Sequence, residues 1–183
     1  YHAAGLVSFP RAGRSLMDQV NVQGTAHIVN ACLEQKVGRL CHVSSIAALG
    51  DAVNGEAIDE SVIWQSGSSA SHYALSKNKG EMEVWRGIQE GLNAVIVNPS
   101  LVIGPGMWLS AGAPLFTKVY KGLSFYPEGS CGYVDVRDVA GFMIKLAESN
   151  ITGERFILNS ENLKHRDFIN LVADNLHKKR PHI

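Results

Sequence analysis

Tyr73 and Lys77 stand four residues apart in Tyr73-Ala-Leu-Ser-Lys77. On a helix that spacing puts both side chains on one face, one turn from each other. An ammonium beside a phenol favours the phenolate and lowers the tyrosine pKa from its usual value of about 10. A tyrosine shifted in this way can act as general acid or base near neutral pH. Ser44-Ser45 lies about thirty residues upstream. A hydroxyl arriving from that separate element, such as Ser45, could hold a substrate oxygen against the phenol. Tyr-x-x-x-Lys alone arises by chance on any amphipathic helix, so the rest of the chain must decide its meaning.

The 183 residues suffice for one well-packed domain or one and a half small ones. Lys and Arg number 17, and so do Asp and Glu, so no basic excess points to nucleic acid and no acidic tract to disorder. Cys32, Cys41 and Cys131 have no C-x-x-C spacing and read as free thiols of a reducing, cytoplasmic compartment. The seven histidines have no metal-ligand spacing. No apolar run is long enough to cross a membrane and no signal peptide is recognisable. Tyr1-His-Ala-Ala-Gly5 begins as if in mid-strand, and Pro181-His-Ile183 follows a basic run as if an element were missing. Both ends predict a piece of a longer chain.

The elements that must carry these residues follow from periodicity. Residues 1–5 read as a strand end. Apolar positions from Leu16 to Leu33 predict a helix over 15–35, with Gly24 inside it permitting close packing. Arg39–Ser44 predicts a buried strand, and 46–72 a long loop of the kind that is usually functional. Residues 73–90 predict a helix closed by Gly91. Asn93–Asn98 predicts a strand ended by Pro99. Beyond it come a short helix over 113–121 and a strand over 124–126. A helix over 136–149 follows, with Asp135 as its N-cap. A strand over 155–158 precedes an amphipathic helix over 164–178, with Phe168, Leu171, Val172 and Leu176 on one side. Strands alternating with helices predict an α/β fold with a parallel sheet covered on both faces. Ligands of such sheets sit at the carboxyl ends of the strands. His2-Ala-Ala4, Ser44-Ser45 and Asn98-Pro-Ser100 all fall there.

With these segments in order, the chain resembles the extended short-chain dehydrogenase/reductase family, which includes NAD-dependent epimerases and dehydratases. The likeness rests on Tyr1-His-Ala-Ala4, Asn21-Val-Gln-Gly-Thr25, Val43-Ser-Ser45, Tyr73-Ala-Leu-Ser-Lys77 and Asn98-Pro-Ser-Leu-Val-Ile-Gly-Pro105. Gly132-Tyr-Val-Asp-Val-Arg-Asp-Val-Ala140 is similar to the segment that closes the family's substrate site. Ser45-Ile-Ala-Ala-Leu-Gly50 resembles more the dihydroflavonol-reductase-like and hopanoid-associated sugar-epimerase-like branches, because nucleotide-sugar epimerases usually carry an aromatic residue where Leu49 stands. Asn159-Ser-Glu-Asn-Leu163 before a helix also fits the reductase-like branch. The family's glycine-rich nucleotide loop is not in this sequence, so NAD cannot be told from NADP.

The resemblance implies a Rossmann-like, doubly wound sheet with a small mixed α/β substrate-binding portion. Residues 1–100 would belong to the dinucleotide-binding domain and 101–183 mainly to the substrate portion, with 132–150 returning to the Rossmann core. It implies Tyr73 as general acid/base, Lys77 on the nicotinamide ribose and Ser45 on the substrate oxygen. His2, Ala3, Ala4, Ser44, Pro99 and Ser100 would border NAD or NADP, together with Tyr73 and Lys77. Asn21 would either bond backbone near the site or accommodate a helix irregularity. Tyr133, Asp135, Arg137 and Asp138 would be structural. A homodimer would form through helices 15–35 and 73–90, in a four-helix bundle.

The pocket would be lined from 46–72 and 104–130, where Trp64, Met107, Trp108, Leu109, Phe116 and Phe125 give an apolar character. No arginine lies in either stretch to clamp a diphosphate. The expected activity is therefore NAD(P)-dependent reduction or oxidation of a small, partly apolar carbonyl or carbinol substrate, with no nucleic acid or membrane partner. A nucleotide-sugar epimerase or dehydratase with tightly held NAD is the alternative, and a non-catalytic dinucleotide sensor the second.

Overall fold

The structure, a computed structural model, describes residues 1–8, 10–50, 58–64, 70–105 and 114–182. It divides into two units. The first holds Tyr1–Pro99 and Val139–Leu158, the second Ser100–Asp138 and Asn159–Ile183.

The first unit is built on a parallel sheet in the order β1 (Leu40–Val43), β2 (Ala94–Pro99) and β5 (Glu154–Leu158). Leu40 pairs with Ala94, and Pro99 with Leu158. His2 adds a parallel bridge to His42 beyond β1. Every residue of β2 is buried, as expected of a central parallel strand covered on both faces. Helix α1 (Arg14–Met17) runs through a π-helical stretch, Asp18–Gln23, into α2 (Gly24–Glu34). A short 3-10 helix, Ile46–Leu49, follows β1. Helix α3 (His72–Gln89) starts where Ser71 Oγ accepts the Ala74 N–H at 3.1 Å. It stops before Gly91, whose φ of +99° suits a residue without a Cβ.

Val29 of α2, Val84 of α3, and Leu40, Ala94 and Ile96 of the sheet form one buried cluster. On α5 (Val136–Glu148), Phe142 meets the ring of Phe156 from β5 edge to face. Close helix packing occurs at Gly80 rather than at Gly24. A Cβ on Gly80 would collide with the Asn21 carbonyl oxygen, whereas one on Gly24 would stand at ordinary contact, 3.5 Å from Gln19 O.

The second unit is a mixed sheet in the order β3 (Leu101–Ile103), β4 (Ser130–Asp135) and β6 (Glu161–Lys164), parallel between the first two and antiparallel between the last two. Helices α4 (Pro114–Tyr120) and α6 (His165–Asn175) belong to it. Its core joins Val119, Tyr133, Phe168, Ile169, Val172 and Ala173, with Tyr133 stacked on Phe168 at 4.0 Å. Two expectations are corrected and one is met. Residues 124–126 form no strand, while β3, β4 and β6 do form. Leu171 is 54% exposed and Ile169 takes its place in the core. Asp135 does cap α5, accepting the Arg137 N–H at 2.8 Å, and Arg137 closes back on the same carboxylate.

Candidate active site

Helix α3 brings Tyr73 and Lys77 onto one face, and the turn after β1 presents Ser44 and Ser45. Three side-chain bonds hold these elements together. Lys77 Nζ donates to the Val43 carbonyl at 2.9 Å, and Asn78 Nδ2 to the Ala48 carbonyl at 3.0 Å. Asn98 Nδ2, at the end of β2, donates to the Ser45 carbonyl at 3.0 Å. Helix, serine loop and strand end are thus fixed to one another through backbone oxygens.

Ser45 is the N-cap of the 3-10 helix, and its Oγ accepts the Ala47 N–H at 3.2 Å. That bond occupies a lone pair and leaves the hydroxyl proton to donate to a substrate oxygen. Tyr73 is half-buried, and Lys77 is 6% exposed. Burial pulls the Lys77 pKa down to about 8, with the Glu81 carboxylate acting in the opposite direction. The imidazoles of His2 and His42, tilted to each other with centroids 5.0 Å apart, are held below the usual histidine range, first by burial and then by the Lys77 charge.

His2 is buried, with Nε2 3.1 Å from Thr25 Oγ1, whereas Ala3 and Ala4 are exposed beside it. Asn21 satisfies both of its expected roles. It lies in the π-helical stretch, and its side chain bonds Leu6 N and O at 2.7 and 2.9 Å and Ser76 Oγ at 3.0 Å. A π-bulge of this kind frequently marks a functional position. Pro99 closes β2. Ser100 falls in the second unit, with its Oγ buried. Trp64 is half-buried against Gly50, where a Cβ would stand 3.4 Å from its ring. Met107, Trp108 and Leu109 lie outside the described residues. Among the described residues, no cluster of His, Cys, Asp or Glu could hold a metal, and no helix is long and apolar enough to cross a membrane.

Buried polar atoms collect at the carboxyl ends of the strands. Ser44 Oγ, Asn98 Oδ1 and both His42 ring nitrogens have no hydrogen-bond partner among the described residues. An unpaired buried polar atom is costly, so such a set calls for a ligand or water. Gly5 opens onto the same lysine, where a Cβ would lie 3.7 Å from Lys77 Nζ. Small exposed residues, the unpartnered Ser44 hydroxyl and a buried cation are of the kinds that fit the nicotinamide ribose end of a dinucleotide.

Three residues of this network have partners that no local signal reveals. Glu81, on α3 one turn beyond Lys77, is buried and bonds Asn98, Trp85 and Arg155. As a helical glutamate beside lysines it reads as a solvated side chain. Asn98 is recognisable within Asn98-Pro-Ser100, but its partners are not. Arg155 sits in β5, far along the chain.

The NAD dependent epimerase/dehydratase family matches residues 1–159. A putative dihydroflavonol 4-reductase of Synechocystis sp. is 30% identical over 171 residues, covering 89% of this chain and 49% of that relative. Cinnamoyl-CoA reductase 1 of Arabidopsis thaliana is 31% identical over 156 residues, 79% of this chain and 45% of that relative. The crystal structure of gox2253 superposes with a TM-score of 0.88 and 32% identity, over 100% of this chain and 56% of that one. The chain spans about half the length of the curated relatives it matches. With its Rossmann-like parallel sheet and matching motifs, the chain belongs to the NAD dependent epimerase/dehydratase family.

Proposed function

We propose that the protein is an NAD(P)-dependent carbonyl reductase or alcohol dehydrogenase with Ser45, Tyr73 and Lys77 as its catalytic set. The observation that carries this reading is the bonding of α3 to the Ser45 loop through Lys77–Val43, Asn78–Ala48 and Asn98–Ser45. A proton donor, a hydroxyl donor and a cation are thereby held on elements that cannot drift apart. In the reductive direction Tyr73 gives its phenolic proton to the substrate oxygen, while the Ser45 hydroxyl donates a hydrogen bond to that oxygen. The Lys77 ammonium stabilises the phenolate left behind. Bound nicotinamide supplies the hydride. His2, Ala3, Ala4, Ser44 and Pro99 are the remaining dinucleotide contacts in the first unit.

The reductase reading is favoured over the epimerase by Leu49 and by the chain's similarity to a putative dihydroflavonol 4-reductase and a cinnamoyl-CoA reductase. A partly apolar carbonyl substrate fits Trp64 over Gly50. The domain roles expected from the sequence, dinucleotide binding for 1–100 and substrate binding mainly for 101–183, belong to the same proposal. So does a homodimer through α1–α2 and α3, whose Leu16, Ile28 and Met82 are exposed.

The test is the fate of the dinucleotide in the full-length protein. With a dihydroflavonol or cinnamoyl-CoA as probe, stoichiometric oxidation of NADPH or NADH supports the reductase. Dinucleotide that co-purifies and is not consumed supports the epimerase instead.

A further inference from the structure

Glu81 is 2% exposed and its carboxylate joins four parts of the first unit. Oε2 accepts from Asn98 Nδ2 at 2.7 Å, and the same Nδ2 donates to the Ser45 carbonyl at 3.0 Å. Oε1 accepts from Arg155 Nη1 at 3.2 Å and from Trp85 Nε1 at 3.3 Å. Arg155 in turn donates through Nε to the Glu60 carbonyl at 2.9 Å and through Nη2 to the Val62 carbonyl at 2.5 Å. The Glu60 carboxylate closes the circuit by accepting the Ile157 N–H at 2.9 Å. One carboxylate therefore ties the helix of Tyr73 and Lys77 to the backbone of Ser45 and, through Arg155, to the 58–64 segment that carries Trp64.

We propose that Glu81 is a positioning residue: its charged carboxylate, held by Asn98 and Arg155, sets Ser45 against the face of α3 and sustains the Lys77 ammonium. The proposal rests on the reading of Ser45, Tyr73 and Lys77 given above. A buried ion pair is weak support for stability, because apolar residues of similar volume often do as well. The particular value of this one lies in what it joins. The groups around Lys77 are Tyr73 and Glu81 on α3, His42 on β1 and His2 beside it. On the neighbouring π-helical stretch Asn21 is uncharged, and Asp18 pairs with His72. The Lys77 charge helps to hold both imidazoles below the usual histidine range, burial opposes the proton on Lys77, and Glu81 is the anion that favours it.

Glu81→Gln keeps the shape and removes the charge. In the full-length protein it should lower kcat by about tenfold and move the alkaline limb of kcat/KM to lower pH, since Lys77 then loses its proton sooner. Arg155→Gln, which leaves the Glu81 charge uncompensated, should move that limb to higher pH and raise KM as the 58–64 segment loses its anchor. The Lys77 Cε resonance, titrated by NMR without dinucleotide, should follow the same two opposite directions. If Glu81→Gln does not fold, Arg155→Gln carries the same test by the reverse shift. A limb and a resonance that stay in place in either folded variant, or that move in the same direction in both, overturn the proposal. If these shifts are absent while Tyr73→Phe inactivates the enzyme, the positioning role fails and the catalytic set stands. If Tyr73→Phe retains activity, the catalytic set fails and takes the positioning role with it.

Discussion

Lys77 donates from Nζ to the carbonyl oxygen of Val43 at 2.9 Å, so an ammonium on the central helix closes on the end of the neighbouring strand. Burial lowers its pKa from 10.5 to about 8, against the opposing pull of Glu81. Below pH 8 the folded and unfolded chains both hold the proton, and the folded state bears the whole cost of burying it. Between about 8 and 10.5 the unfolded chain binds more protons, so this group makes stability rise with pH across that window. Lys77→Met should therefore inactivate the enzyme while raising unfolding free energy at neutral pH by about 1–3 kcal/mol. Urea denaturation at neutral pH and again above the window checks it: the gain should shrink at the higher pH. A lysine variant that is less stable at neutral pH contradicts the assignment of a costly buried charge.

Ser45 has an observed structural use, as a cap, and a proposed chemical one. Ser45→Ala removes the cap on Ala47 N, which costs about 1 kcal/mol. It also removes the hydrogen-bond donor to the substrate oxygen, which should lower kcat by about 10²-fold. Thermal melts and steady-state kinetics separate the two. A loss of stability with unchanged kcat would leave Ser45 as a cap alone.

Gly80 and Gly24 should respond oppositely to alanine. At Gly80 the added methyl meets the Asn21 carbonyl, forces α3 away from the π-helical stretch and costs about 1–3 kcal/mol. At Gly24 the methyl has room, and the gain in helix propensity is up to about 1 kcal/mol. Denaturation midpoints of the two variants should fall on opposite sides of the parent.

The proposed homodimer predicts sedimentation of the full-length protein at twice the chain mass, and a shift to the monomer on Met82→Glu. A single-chain mass at every concentration would exclude it.

The fold class was legible because strands and helices alternate with clear stops. The start of α3 lies one residue from its expected place, since Ser71 and Gly91 mark its ends by local chemistry. The face shared by Tyr73 and Lys77 follows from their spacing alone. What stayed hidden depends on partners distant in sequence. Strand β6, Glu161–Lys164, has Leu163 as its one apolar residue and exists through its pairing with β4, whose sequence carries Gly132. The place of Leu171 is not legible from spacing, because a turn of α6 carries apolar residues on more than one side. Glu81 looks like a surface glutamate until Asn98 and Arg155, which come 17 and 74 residues later, close over it.

Tyr73→Phe tests the central assignment most directly, because it removes one oxygen and leaves the ring in place. With dinucleotide binding followed by fluorescence and turnover by oxidation of NADPH or NADH, binding should be unchanged and kcat should fall by about 10²–10⁴-fold. A variant that binds dinucleotide and turns over at the parent rate would contradict the role given to Tyr73, and with it the reading of this site as a hydride-transfer centre.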